Sequence, residues 1–178
     1  KRVQGKPSFK MVPGYLWATC LTVNSEVVHG IPNEQVIKEG DIVGVDIGLY
    51  FKGFHTDLAT TVKVGRNVSK ETDKFLEIGR IALEDAIKQA KVGSYIGDLS
   101  LAIQNRIDAA GCLPVKSLTG HGVGRKLHEA PAIPCFLKGT AERTSKLAPG
   151  MTLAIEVIYN QGSDQVVMEE DGWTISTQ

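Results

Sequence analysis

The 178-residue sequence predicts an α+β fold in which strands come before and after a pair of helices. Residues 42–50 alternate between apolar and other side chains, and residues 54–64 return after a turn as a second strand, which is typical of a hairpin. Residues 69–111 carry apolar side chains at helical spacing, and strand-like segments return after residue 150. A short internal repeat further predicts that the fold consists of two related halves.

The first half contains the predicted strands. Residues 16–28, rich in Leu, Val and Thr, indicate a strand or a hairpin, and residues 42–50 form an alternating strand that places Asp46 opposite its apolar face. A Lys-Gly turn follows, and residues 54–64 return as a second strand that carries Asp57. We expect this hairpin to bring Asp46 and Asp57 near each other, with the register left open.

Two helices follow the hairpin. Ser69 is the predicted N-cap of the first helix, whose apolar pattern runs until Gly93. The second runs from about residue 98 to 110, and Gly111 is its C-cap candidate. Further strands are predicted at residues 151–159, 166–168 and 173–175.

The internal repeat relates residues 40–46 to residues 150–156. The two segments read Gly-Asp-Ile-Val-Gly-Val-Asp and Gly-Met-Thr-Leu-Ala-Ile-Glu, so that a carboxylate follows six residues after a glycine in each. Both segments come after a His and a Pro. Two related half-domains would turn Asp46 and Glu156 toward a common centre.

Composition excludes several classes of protein. Lys+Arg and Asp+Glu number 20 each, so no basic excess points to nucleic acid or to an anionic membrane. The three cysteines are odd in number and far apart, which favours a reducing compartment, the cytoplasm, over a disulfide framework. No apolar run predicts a membrane span. The sequence starts at Lys1 on a loop-like segment, and we expect the natural protein to be longer at both ends.

Four residues form a candidate metal site. Asp46 interrupts an apolar strand, where a carboxylate is costly unless it is paired, and Asp57, His121 and Glu156 could complete a shared site. Carboxylates with one imidazole and no thiolate suit Mn, Fe, Co or Zn. Two such ions about 3.5–4 Å apart can share a bridging water and hydrolyse an amide. Asp57 is the candidate bridge, with Asp46 serving one ion and His121 and Glu156 the other.

Each of these residues also has a simpler interpretation. Asp46 and Asp57 could be edge or turn residues, His121 a loop histidine, and Glu156 half of a buried salt bridge. His29 and His128 need not be ligands, since an imidazole near a scissile carbonyl can donate a hydrogen bond to the developing oxyanion or hold the substrate backbone. The glycines around His121 would allow a substrate to approach the backbone closely.

Taken together, these segments resemble type I methionine aminopeptidases. The matching segments are residues 24–32 (Asn-Ser-Glu-Val-Val-His-Gly-Ile-Pro), 40–48, 55–57 (His-Thr-Asp), 119–125 (Thr-Gly-His-Gly-Val-Gly-Arg), 128–131 (His-Glu-Ala-Pro), 150–156 and 171–174 (Asp-Gly-Trp-Thr). They occur in order across nearly the whole chain. The His-Gly-Ile-Pro segment separates this family from its prolidase and creatinase relatives.

The resemblance implies a fold and an activity. The fold is the pita-bread fold, two pseudo-symmetric halves around a curved antiparallel sheet with outer helices, and residues 1–178 would form a single metallopeptidase domain. Family members remove the initiator methionine from new polypeptides when the next residue is small. The implied partners are N-termini of nascent peptides, at the ribosome among other places, and we expect a monomer that binds two divalent ions.

The resemblance also implies residue roles. Asp46, Asp57, His121 and Glu156 fall on four of the family's five metal ligands, and His29 and His128 fall on its two catalytic or substrate-orienting histidines. Alone, Tyr15, Cys20 and Trp173 are most typical of core residues; by resemblance, they line the methionine pocket together with His29 as a substrate-binding residue.

The sequence departs from the family pattern in places. The fifth ligand, a Glu shortly beyond the Asp-Gly-Trp strand, would lie past Gln178, and Leu127 stands where many members place a Phe. One alternative is therefore a truncated, non-catalytic pita-bread module. Another is a prolidase-like Xaa-Pro peptidase of the same fold.

Overall fold

The computed structural model describes residues 4–66 and 69–178, which contain two α-helices and twelve strands. The helices are α1 (Lys70–Gln89) and α2 (Ile96–Ala109). The strands are β1 (Lys6–Pro7), β2 (Thr19–Val23), β3 (Glu26–Val28), β4 (Ile42–Phe51), β5 (Phe54–Lys63), β6 (Leu113–Pro114), β7 (Thr119–Gly122), β8 (Glu129–Pro134), β9 (Leu153–Ala154), β10 (Tyr159–Asn160), β11 (Val166–Met168) and β12 (Ile175–Thr177). The combination of antiparallel sheets with helices confirms the predicted α+β class.

The chain divides into two compact units. Unit 1 comprises Lys1–Asp73, Val123–Leu127 and Val167–Gln178, and unit 2 comprises Lys74–Gly122 and His128–Val166. Each unit has its own sheets, and each is described below by itself.

Strand β4 is the centre of unit 1. It pairs antiparallel with β5 along its whole length, from Ile42 opposite Lys63 to Phe51 opposite Phe54, and with β2 and β1 on its other edge. The hairpin and its turn are therefore confirmed as predicted. Residues 16–28 form two strands that belong to different sheets, because β2 pairs with β4 whereas β3 pairs with β12.

The helices also follow the prediction closely. Ser69 Oγ accepts a hydrogen bond from the Thr72 amide at 3.1 Å, which confirms the N-cap of α1. Helix α2 begins two residues earlier than predicted, because Asp98 Oδ2 accepts a bond from the Tyr95 amide at 2.7 Å and fixes the first turn. Gly111 follows α2 with a φ of 72°, as expected of a residue that ends a helix.

In unit 2, two small sheets accompany the helices. Strand β7 lies between β8 and β9, and β6 pairs with β10. The predicted strand at residues 151–159 is interrupted: β9 ends at Ala154, and the chain rejoins a ladder only at Tyr159. The core of this unit is built on the fully buried side chains of α2, Leu99, Ile103 and Ile107, and on Ile133 and Cys135.

The last predicted strand starts late. Strand β12 begins at Ile175, because Asp171 accepts hydrogen bonds from the amides of Trp173 and Thr174, both at 2.8 Å, and holds these residues in a loop. Across residues 4–66 and 69–178, neither helix is long and apolar enough to cross a membrane.

Candidate metal centre and side-chain pocket

The two aspartates of unit 1 lie on one face of the β4–β5 hairpin. Asp57 is directly opposite Gly48, and Asp46 is directly opposite Ala59. Because directly opposed residues of an antiparallel pair share a face, Asp46 and Asp57 are diagonal neighbours, with backbones about 7–8 Å apart. The predicted proximity of the two carboxylates is thereby confirmed, and both side chains are partly buried.

An apolar cluster borders this carboxylate pair. Cys20 on β2 stands directly opposite Asp46, so that its side chain projects from the same face of the sheet. Cys20 is buried with Phe9, Tyr15 and Leu127, and the partly buried members of the cluster are Val12, Trp17, Ile31 and Trp173. The three predicted pocket residues are thus brought together.

Aromatic contacts and hydrogen bonds order this cluster. The ring of Tyr15 makes edge contacts with Trp173 and Trp17, with centroids 5.1 Å and 5.3 Å away. The Tyr15 hydroxyl lies 3.1 Å from Cys20 Sγ and 3.0 Å from the Thr19 carbonyl oxygen. One wall of the cluster is therefore soft and aromatic, with its polar atoms already bonded to protein groups.

The carboxylates impose a negative potential on this wall. Burial raises the pKa of Cys20 to about 11, and the charges of Asp46 and Asp57 add to the rise. The pKa of Tyr15 is also raised, first by burial and then by Cys20, with Asp46 contributing. Both groups are therefore neutral at physiological pH.

In unit 2, His121 and Glu156 form a second pair of candidate ligands. His121 on β7 is directly opposite Ala154 of β9, and Glu156 lies two residues beyond the end of that strand. The Nδ1 atom of His121 lies 2.8 Å from the Gly122 carbonyl oxygen, so Nδ1 carries the hydrogen. Its Nε2 atom faces Glu156 Oε1 at 3.3 Å.

The two predicted catalytic histidines lie in different units. His128 is exposed and precedes β8, and its ring contacts His121 edge to face with a centroid distance of 4.4 Å. One ring nitrogen of His121 lies within 4.8 Å of one ring nitrogen of His128. His29 follows β3 in unit 1, exposed and with a φ of 57°, a left-handed conformation uncommon for a residue other than glycine.

Comparison with known proteins identifies the family. Residues 4–176 match metallopeptidase family M24. The chain belongs to this family. It is 42% identical over 171 residues to the methionine aminopeptidase of Clostridium perfringens, covering 96% of this chain and 68% of the relative. The crystal structure of methionine aminopeptidase from Thermotoga maritima superposes with a TM-score of 0.93 at 45% identity, covering 98% of this chain and 69% of the other.

These relatives confirm several predictions. The pita-bread fold, the resemblance to methionine aminopeptidases and the class of enzyme, a metallo-exopeptidase, are all confirmed. Membership of the family also implies binding of divalent metal. The prolidase from Pyrococcus horikoshii is less similar, with 26% identity and a TM-score of 0.64 over 76% of this chain and 38% of the other. The Xaa-Pro alternative is therefore not favoured.

The donor sets of this M24 peptidase fit a divalent ion. In unit 2, an imidazole nitrogen and a carboxylate oxygen face each other at 3.3 Å. Two ligand atoms at usual bond lengths from one tetrahedral ion are roughly 3.3–3.6 Å apart. In unit 1, two hard carboxylates share one face of a hairpin. Oxygen with one imidazole is a set suited to Mn, Fe, Co or Zn.

The glycines around His121 serve the sheet. A Cβ atom on Gly120 would lie 2.5 Å from the Ala154 carbonyl oxygen, and one on Gly122 would lie 2.5 Å from the Ala130 carbonyl oxygen. These close approaches are to backbone of the neighbouring strands, which differs from the predicted role in admitting a substrate. Glycine at both positions therefore keeps His121 in register with its neighbours.

Sequence reasoning missed several contributors. Phe9 and Trp17 belong to the pocket cluster, and Cys135 hydrogen-bonds to the backbone around Glu156. None of these three residues lies within a segment that matches the family, and each is of a type common in protein cores. Only the pairing of distant strands reveals their proximity to the site.

Proposed function

We propose that this chain removes the N-terminal methionine from polypeptides whose second residue is small, in a metal-dependent hydrolysis. One observation carries the proposal. Cys20 is directly opposite Asp46, so that an apolar, sulfur-containing and aromatic pocket borders a candidate metal ligand on one face of a sheet. A methionine side chain suits such walls, because thioethers make favourable contacts with aromatic rings. The family and its named relatives agree with this substrate.

The proposed ligands are Asp46, Asp57, His121 and Glu156, and we propose two ions drawn from Co, Mn, Fe and Zn. When bound, such ions lower the pKa of water and polarise the carbonyl of the scissile amide. Asp57 is the proposed bridge. The Nδ1 bond of His121 to the Gly122 carbonyl fixes its tautomer and leaves Nε2 as the ligand atom.

The remaining residues would bind and orient the peptide. His128 and His29 would donate hydrogen bonds to the substrate carbonyl or hold its backbone. Tyr15, Cys20 and Trp173 would enclose the methionine side chain and exclude water from it. Because the hydroxyl of Tyr15 is already hydrogen-bonded to protein groups, this wall presents an apolar surface to the substrate.

Hydrolysis of a Met-Ala peptide with added Mn or Co tests the function. We expect turnover by the intact protein and a loss of at least about a hundredfold in kcat/KM for Asp46→Ala, because catalysis by a hydrolytic metal requires its ligands. Asp108→Ala, an exposed change on α2, is the matched control and should retain full activity. Absence of turnover by the intact protein, or an Asp46→Ala variant with unchanged kcat/KM, would contradict the proposal.

Two further measurements address the alternatives. A higher kcat/KM for Xaa-Pro dipeptides than for Met-Ala would favour a prolidase-like enzyme. Calorimetry that finds no tight divalent ion would favour a non-catalytic module. The three cysteines are free, which suits the cytoplasm, where we propose that the enzyme acts; action at the ribosome and a monomeric state stay predictions.

A further inference from the structure

The segment that carries Glu156 has lost its partner strand. The β7–β9 ladder ends at the pair His121 and Ala154, and residues 155–158 lie outside any strand. Backbone groups of a buried segment need other partners once a ladder ends. Here a side chain from the residue after β8 supplies them.

The thiol of Cys135 bonds to the backbone on both sides of this gap. Its Sγ atom donates to the Glu156 carbonyl oxygen at 3.2 Å and accepts from the Ile158 amide at 3.2 Å. Cys135 is fully buried, so its side chain has one fixed position among close-packed neighbours. A single sulfur therefore fixes two peptide groups, one of them belonging to a proposed ligand.

We propose that Cys135 is a positioning residue for the metal centre, which holds the backbone of Glu156 so that its carboxylate faces His121. The inference rests on the proposed assignment of Glu156 as a ligand. The thiol acts through the peptide group, and the carboxylate faces His121 Nε2 at 3.3 Å. Partners that orient a ligand commonly change metal affinity by about 10–100-fold when they are removed.

Cobalt titration of the intact, metal-freed protein tests the proposal, with calorimetry and the visible absorption of bound Co²⁺ as readouts. We expect Cys135→Ala to weaken Co²⁺ binding at least about tenfold and to alter the absorption band. Cys135→Ser retains a donor and an acceptor and should recover much of the affinity. Cys112→Ala is the matched control, since Cys112 is also buried in unit 2, and it should bind Co²⁺ as the parent does.

Two outcomes would overturn the proposal. One is unchanged Co²⁺ binding and an unchanged spectrum in Cys135→Ala. The other is a Cys135→Ser variant that binds Co²⁺ no more tightly than Cys135→Val does, because valine can fill the volume of the thiol but cannot form its hydrogen bonds. Urea unfolding of the metal-free variants separates lost stability from lost affinity. Glu156→Gln tests the underlying assignment, because the proposed ligand set fails if this variant binds Co²⁺ as tightly as the parent. If Glu156→Gln weakens Co²⁺ binding but Cys135→Ala does not, only the inference about Cys135 is contradicted.

Discussion

At the scale of single residues, spacing between backbones decides which side chain a position accepts. Gly120 precedes the candidate ligand His121, and a Cβ atom there would lie 2.5 Å from the Ala154 carbonyl oxygen and 3.0 Å from the Glu156 amide. Neither backbone atom can move without moving the strand. The glycine thus sets the distance between the segments that carry His121 and Glu156.

Gly120→Ala should accordingly weaken Co²⁺ binding and lower the free energy of unfolding by about 1–3 kcal/mol, the usual cost of overpacking. Gly139→Ala is the control, since that glycine has open space around it and a φ of 88°. Its cost, about 1–2 kcal/mol, arises from left-handed backbone alone. Urea unfolding and calorimetry should therefore find similar losses of stability, with weaker Co²⁺ binding only in Gly120→Ala. Equal affinities in the two variants would contradict this account.

At the scale of elements, the periodicity of apolar residues predicts the helices and the hairpin, which depend on local interactions. The β4–β5 hairpin and α1 follow from period-two and helical spacing, whereas the shared face of Asp46 and Asp57 depends on the register, which alternation alone does not specify. The backbone contacts after Ala154 could not be predicted, because they involve the thiol of Cys135, which comes from the residue after β8. The pocket around Tyr15 likewise needs the pairing of β2 with β4, which periodicity does not specify.

Helix α1 contains a second such contact. The Tyr159 hydroxyl accepts from the Gly79 amide at 3.0 Å and donates to the Phe75 carbonyl oxygen, so it bonds to both backbone groups of one i, i+4 pair of the helix. Burial raises the pKa of Tyr159 to about 12, and the hydroxyl therefore keeps its proton at neutral pH.

Gly79→Ala should destabilise the protein despite a gain in helix propensity of about 1 kcal/mol, because the new Cβ would lie 2.7 Å from the Tyr159 hydroxyl. In a Tyr159→Leu background the same change should become stabilising, since the ring and hydroxyl are gone. A double-mutant cycle by urea unfolding measures the coupling, expected to be at least about 1 kcal/mol. Additive effects would mean that the hydroxyl does not restrict position 79.

At the scale of the whole molecule, each unit contains one pair of candidate ligands with at least one member on an antiparallel ladder. In unit 1 the pair is Asp46 and Asp57, and in unit 2 it is His121 and Glu156. A small residue, Gly48 or Ala154, stands directly opposite one member of each pair. The internal repeat predicted a carboxylate in each half, and the structure places Asp46 within a ladder but Glu156 two residues beyond the end of one.

Because these ligands lie far apart in the sequence, an unfolded chain cannot hold them at bonding distance, and metal binding should stabilise the folded state alone. A free ion concentration a hundredfold above Kd should add about 2.7 kcal/mol to the free energy of unfolding. Thermal unfolding with Mn²⁺ or Co²⁺, and again after chelation, measures this increment. Asp57→Asn should abolish most of it, because the proposed bridge loses its charge, whereas Asp108→Asn on α2 should keep it whole. An increment that survives in Asp57→Asn would place the stabilising ion elsewhere and remove Asp57 from the ligand set.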